Sequence, residues 1–175
     1  MNGSPPKLRK WQMYQLFIDA LGDAVLKYSD FESAPLLVDL KPPCPHRLRV
    51  YLYNCTNPPG GRALDEYKIQ IILPGQERGC RASLDYSDSR MPILAAYVCV
   101  ADEVQDGVFV LWDAFKHDDF AYSANMQVKS ETIIKALCSP LSLSKRGNDE
   151  IIIAARAPYL LDAIKCRVEI MRKNI

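Results

Sequence analysis

Apolar residues recur at three- and four-residue intervals from Arg9 to Tyr28, at Trp11, Tyr14, Phe17, Ile18, Leu21, Val25 and Tyr28. That spacing predicts a helix over 9–28 with one face turned toward a core. Four prolines between Ala34 and Pro45 forbid its continuation and predict a connector, with one short extended segment at Leu36 to Leu40. From Arg47 the period shortens to two. Leu48, Val50 and Leu52 fall on one strand face, and Arg47, Arg49, Tyr51 and Tyr53 on the other. Turn formers from Asn57 to Arg62 end that strand, and Tyr67 to Leu73 resumes extended structure up to Pro74-Gly75. A third, short strand is predicted over Arg81 to Tyr86, before a polar bend at Ser87-Asp88-Ser89.

Ile93 to Ala101 and Val108 to Ala114 are dense in Val, Leu, Tyr, Phe and Trp, and the segment between them ends in Asp-Gly, which predicts a hairpin with a longer loop. Ser130 is placed to cap a helix through Ile133, Ile134 and Leu137 that stops at Ser139-Pro140. Glu150 to Ala155 reads as one more strand, and Pro158 opens a closing helix carrying Leu160, Leu161, Ile164 and Val168. Strands and helices do not alternate regularly, which disfavours a doubly wound parallel sheet. The pattern predicts an α+β fold: a mixed or barrel-like β core over about 47–155, with an N-terminal helix at 9–28 and a C-terminal helix at about 157–171. All of it belongs to a single domain spanning 1–175, since a second domain would need a longer chain.

Composition narrows the function classes. Apolar residues make up 49% and charged ones 25%, which argues against wholesale disorder or a fibrous repeat. The formal charge of +1 excludes a generally polycationic nucleic-acid binder but leaves a local basic face open. No apolar run approaches the ~18 residues of a membrane span, and no signal-peptide core precedes the first helix, so the expected protein is soluble and cytoplasmic, without a membrane partner. Six cysteines are scattered without a Cys-x-x-Cys pair, as expected of reduced thiols rather than a disulfide framework or a zinc site.

Common catalytic signatures are missing: no Gly-x-Gly-x-x-Gly, no phosphate-binding Gly-x-x-x-x-Gly-Lys, no Gly-x-Ser-x-Gly and no His-Glu-x-x-His. One pattern points toward catalysis. Glu66-Tyr67-Lys68 directs a carboxylate and an ammonium to the same side of a strand. With an upstream carboxylate, for which Asp39 is the best-placed candidate, this trio is what a PD-(D/E)xK nuclease uses to hold Mg²⁺ and orient water. A plain exposed ion pair on a strand is the simpler account of Glu66 and Lys68.

Charge is unevenly spread. Residues 41–90 hold eight Lys and Arg against five Asp and Glu, whereas 101–120 hold six acids against one lysine. Arg47, Arg49, Lys68 and Gln70 are the side-chain types that bind phosphates and read base edges. The connection from Lys116 to Lys129 concentrates His117, Ser123, Asn125, Gln127 and Lys129 after a strong strand, where binding groups commonly lie. Solvated strand and loop surfaces account for the same residues.

The runs Tyr51 to Arg62, Asp65 to Gln70 and Val108 to Ala114, followed by Phe120 to Ser123 with Asn125 and Gln127, and by Glu150 to Arg156, resemble the methylase-associated domain family. These are accessory domains of bacterial restriction-modification and phage-defence systems, found beside DNA methyltransferases and restriction nucleases. The resemblance covers roughly Leu48 to Met171. It implies duplex DNA as ligand, a methyltransferase or nuclease as partner, and a β core related to a DNA-binding pseudobarrel with two loop arms; no cofactor is expected, Mg²⁺ entering only with the nuclease alternative. On that reading Arg62, Lys68 and Gln70 sit on one arm, and His117, Ser123, Asn125, Gln127 and Lys129 on the other. Two other functions stay open: a Mg²⁺-dependent nuclease using Asp39, Glu66 and Lys68, and a protein-interaction subunit that presents the acidic stretch Asp102 to Asp119.

Overall fold

Gly22, at φ +53°, closes the first helix well before the apolar period ends. In the structure, a computed structural model that describes residues 7–57, 63–100 and 103–175, α1 therefore runs only over Lys10–Leu21. The Gln12 side chain accepts the Arg9 N–H at 2.9 Å and satisfies one donor at its start. Beyond a short 3-10 turn, Val25–Tyr28 forms β1 rather than the last turns of the predicted helix. The i, i+3 spacing of Val25 and Tyr28 continued the helical count, but a left-handed glycine cannot sit inside an α-helix without breaking it.

The remaining elements are β2 (Leu36–Leu40), β3 (Arg47–Asn54), β4 (Glu66–Ile71), β5 (Met91–Val98), β6 (Val108–Trp112), β7 (Ala124–Lys129), α2 (Ser130–Cys138), β8 (Ser142–Lys145), β9 (Ile151–Arg156) and α3 (Leu160–Lys173). Seven strands form one sheet in the order β1-β2-β3-β5-β6-β9-β8, and β4 and β7 form a separate two-stranded ribbon. Within the large sheet only β3 and β5 run parallel, with Leu48 opposite Met91 and Asn54 opposite Tyr97. The mixed α+β class holds, but the sheet is open, ending at β1 and β8, and does not close into a barrel.

Both faces of this sheet are covered, which explains why β5 and β6 read as unbroken apolar runs. On one face, Phe17 and Leu21 of α1 and Leu160, Ile164 and Val168 of α3 pack on Leu48, Val50, Ile93, Phe109 and Ile153. On the other, Ile133 and Ala136 of α2, together with Ile69, Ile71, Met126 and Val128 of the ribbon, pack on Leu94, Ala96, Val110, Trp112 and Ile152. Cys99 is buried in the first cluster and Cys55 in the second, where burial pushes the Cys55 thiol up to about 12. Among the described residues no helix is long and apolar enough to cross a membrane.

Two short elements depart from the sequence expectation. The strand expected over Arg81 to Tyr86 is reduced to one bridge, Ala82 to Phe120. Lys129, not Ser130, holds the cap position of α2, and the Ser130 N–H instead bonds the Asp65 carbonyl at 2.7 Å, tying the helix start to the entrance of β4.

A buried ionic cluster pins the ends of β6 and β9 to α3. Arg167, fully buried, donates to Asp113 Oδ2 at 3.2 Å and to the Ile151 carbonyl. Glu150, also fully buried, accepts the Asp113 N–H at 3.1 Å and lies 2.7 Å from His117 Nε2 and 3.3 Å from Arg146 Nη1. Burial alone would raise the Glu150 carboxyl. The His117 bond and charge, the Asp113 N–H and the Arg146 charge outweigh it and hold the group below the ordinary glutamate value.

Candidate nucleic-acid interface

The β4–β7 ribbon is built by alternation. Tyr67, Ile69 and Ile71 of β4 and Met126 and Val128 of β7 point inward, so Glu66, Lys68 and Gln70 and their counterparts Asn125, Gln127 and Lys129 share the outer face. An isolated two-stranded ribbon is marginal in water. Burial of Ile69, Ile71, Met126 and Val128, each worth about 1.5–3 kcal/mol, fixes this one to the sheet. The indole of Trp112, itself fully buried, adds a hydrogen bond to the Gln127 carbonyl at 3.1 Å.

The register places the outer residues in direct cross-strand pairs: Glu66 with Lys129, Lys68 with Gln127, and Gln70 with Asn125. On the far side of β4, the backbone N–H and C=O of Lys68 both bond Thr56, at 2.9 and 3.0 Å. Lys68 and Gln127 therefore form a non-hydrogen-bonded pair of the ladder, the type whose side chains stand closest, and the Gln127 backbone groups are directed away from β4. Gln70 and Asn125 are exposed, Lys68 and Gln127 half-buried. Lys129 bonds Glu66 at 3.1 Å and Asp65 at 3.2 Å, and those acceptors raise its pKa.

Five of the residues singled out from the sequence, Lys68, Gln70, Asn125, Gln127 and Lys129, thus come together on one surface. They do so as two strands of a single ribbon rather than as two separate arms. Ser123 sits at its entrance in a turn, at φ +61°, closed by the Ala124 N–H to Ala121 carbonyl bond of 3.1 Å. Arg62 lies outside the described residues.

The other candidates are placed elsewhere. His117 is largely enclosed against Glu150, with 12% of its side chain exposed. Arg49, expected on a solvated face, is buried: its guanidinium donates to the Asp85 carbonyl at 2.9 Å and pairs with Asp85 at 2.8 Å and Asp88 at 3.3 Å, so it holds the 85–88 loop. Arg47 is half-exposed, donates to the Asp88 carbonyl at 3.0 Å and stands 3.8 Å from Asp39.

Asp39, the expected third member of a nuclease trio, is on β2 of the large sheet, paired with Arg90 at 2.8 Å and Lys27 at 3.5 Å. Glu66 and Lys68 are on the ribbon, and among the described residues no three His, Cys, Asp or Glu converge as metal ligands. Asp39 and the Glu66–Lys68 pair thus stand on different sheets. The acidic stretch is likewise divided: Asp113 is buried against Arg167, Asp118 accepts the Tyr86 hydroxyl, and Asp119 pairs with Arg81 at 2.9 Å, while Asp102 lies outside the described residues.

Sequence reading missed β7, Thr56 and the part played by Trp112. The alternation Ala124, Met126, Val128 against Asn125, Gln127, Lys129 was the signal for the strand, obscured by the polar residues around it. One family model, described as Methylase-associated X1, matches residues 46–164 and so takes in the whole ribbon. No curated protein and no solved structure matches the chain.

Proposed function

The chain belongs to the Methylase-associated X1 family, which ties it to a methylase-linked system, and from that premise we propose that it is the DNA-recognition module of such a system. It binds duplex DNA through the β4–β7 ribbon and leaves the chemistry to a methyltransferase or nuclease partner in restriction or phage defence. The observation that carries this reading is the paired outer face of the ribbon, Lys68 with Gln127 and Gln70 with Asn125. A B-DNA major groove, about 12 Å wide, admits a two-stranded β-ribbon, and Asn and Gln amides present the donor and acceptor needed for the N6 and N7 edge of adenine. Lys68 supplies charge for phosphate, which positions without specifying. The inner face is tied to the sheet through Ile69, Ile71, Met126, Val128 and the Trp112 bond, which anchors the ribbon backbone beneath the outer face.

The test is a mobility-shift titration of the purified protein against random duplex, adenine-methylated duplex and single-stranded DNA at two salt concentrations. Salt-sensitive binding that favours duplex and responds to methylation supports the reading. Mg²⁺-dependent cleavage abolished by Lys68→Ala, or no binding in dilute buffer, overturns it.

A further inference from the structure

The ribbon does not stand alone on its side of the molecule. The flank of β7 away from β4 faces the β8–β9 hairpin across a groove of about 300 Å³, walled by Glu66, Gln127 and Lys129 on one side and Lys145, Arg146 and Gly147 on the other. Three cations line it against one carboxylate. Neither Lys145 nor Arg146 belongs to the basic stretch that drew attention in the sequence; only the fold brings them beside Gln127.

The hairpin tip is ordered. Arg146 N–H bonds the Glu150 carbonyl at 2.8 Å, the Asp149 N–H bonds the Arg146 carbonyl at 3.0 Å, and Asp149 takes a left-handed conformation at φ +62°. The Asn148 side chain accepts the Glu150 N–H at 3.2 Å, and Lys116 donates to the Asn148 carbonyl at 3.4 Å. Arg146 is oriented by one bond, Nη1 to the fully buried Glu150, which leaves its other guanidinium donors for a ligand. Among the described residues Lys145 pairs only with the exposed Asp149, at 2.7 Å, and Lys129 only with Asp65 and Glu66. The pairs with Asp149 and Asp65 are exposed and worth little, so exchanging either carboxylate for a phosphate is cheap.

We propose that the β8–β9 hairpin is a phosphate-gripping arm: Lys145 and Arg146, with Lys129 opposite, hold the backbone of the duplex strand whose base edges meet Gln127. This rests on the DNA reading of the ribbon and adds a division of labour to it, with the ribbon reading bases and the hairpin supplying sequence-independent, salt-dependent affinity. A strand lying against Gln127 carries its phosphates along the groove that Gln127 itself walls, and neutralising a phosphate releases a counterion.

The experiment measures duplex affinity of wild type, Lys145→Ala, Lys145→Ala/Arg146→Ala and Asp149→Asn, on preferred and random duplexes, over a range of salt. Removing one cation from a phosphate lowers the slope of log K against log salt by about 1, so the double variant falls by about 2, with affinity reduced alike on every sequence. Lys145→Ala, at an exposed position outside the buried cluster, gives half of that change and guards against a folding defect at Arg146. Asp149→Asn removes the competing carboxylate while keeping a residue that tolerates a left-handed backbone, and binding tightens. A wild type that binds duplex with a slope untouched by the Lys145 and Arg146 changes overturns the arm and leaves the ribbon reading standing. A shift in sequence preference without a change of slope also overturns it, since the hairpin would then read bases. Failure of the wild type to bind any duplex removes the reading beneath it.

Discussion

Lys68 and Gln127 face each other across the β4–β7 ribbon, one from each of two segments that lie on opposite sides of the β5–β6 hairpin in the chain. That meeting is what turns scattered polar positions into a surface. On the proposed DNA reading their roles divide, with the amides for base edges and the ammonium for phosphate. Alanine at Gln70, Asn125 or Gln127 is expected to flatten discrimination between preferred and random duplex by about 1–3 kcal/mol for each base edge no longer read, with the salt slope unchanged. Competition titrations with randomised duplex measure it.

Arg47 and Arg49 look equivalent in sequence, two residues apart on one strand, yet the structure gives them different work. Arg49→Ala strips a buried guanidinium from Asp85, Ser87 and Asp88 and is expected to cost about 2–4 kcal/mol, whereas Arg47→Ala costs less than about 1 kcal/mol. Urea unfolding of the two variants compares them, and equal losses would show that the 85–88 loop does not depend on Arg49.

Glu150 couples stability to pH. Its folded-state pKa lies below the ordinary value of 4.5, so the ionised carboxylate adds stability above that value and ceases to add it as pH falls through the lower folded pKa. Glu150→Gln is therefore expected to be most destabilising near neutral pH, by about 1–3 kcal/mol, with the gap from wild type narrowing as pH drops below about 4.5. Denaturant unfolding at a series of pH values reads this out. A gap that widens in acid would mean that the buried carboxyl is raised rather than lowered.

Gly107 ends the β5–β6 connection in extended backbone just before β6, and its N–H bonds the Tyr97 hydroxyl at 2.8 Å. A methyl group there would overlap both the Tyr97 ring and the Val98 carbonyl. Gly107→Ala is expected to destabilise by about 1–3 kcal/mol, and Tyr97→Phe, which removes the hydroxyl, by less. Thermal melting of both variants gives the order.

Much of the architecture is legible from the residues: β2, β3, β4, β5, β6, β9 and the closing helix follow from alternation, apolar runs and proline positions. Other features are not, among them three strands, each for a distinct reason. Val25 and Tyr28 keep the helical period, while the break depends on the left-handed backbone of Gly22. β8 spans four residues, Ser142–Lys145, and carries too little apolar alternation to register. β7 alternates correctly but is rich in amides, which local propensity assigns to loops; its strand state comes from pairing with β4 and from Met126 and Val128 packing on the sheet. Amide and lysine candidates on β4 and β7 were therefore identifiable one by one, but not their pairing. The burial of Arg49 and the closeness of Lys145 and Arg146 to Gln127 depend on tertiary packing that no local pattern encodes.

The most direct test of the ribbon as the DNA-binding surface is charge reversal at its centre. Duplex affinity is measured by fluorescence anisotropy in low salt for wild type, Lys68→Glu and Lys165→Glu, the last a control on α3, which packs on the opposite sheet face. Wild type and Lys165→Glu are expected to bind alike, and Lys68→Glu at least about 10-fold more weakly, a loss of about 1.4 kcal/mol or more. Equal binding by Lys68→Glu and wild type, or the larger loss at Lys165, would contradict the account.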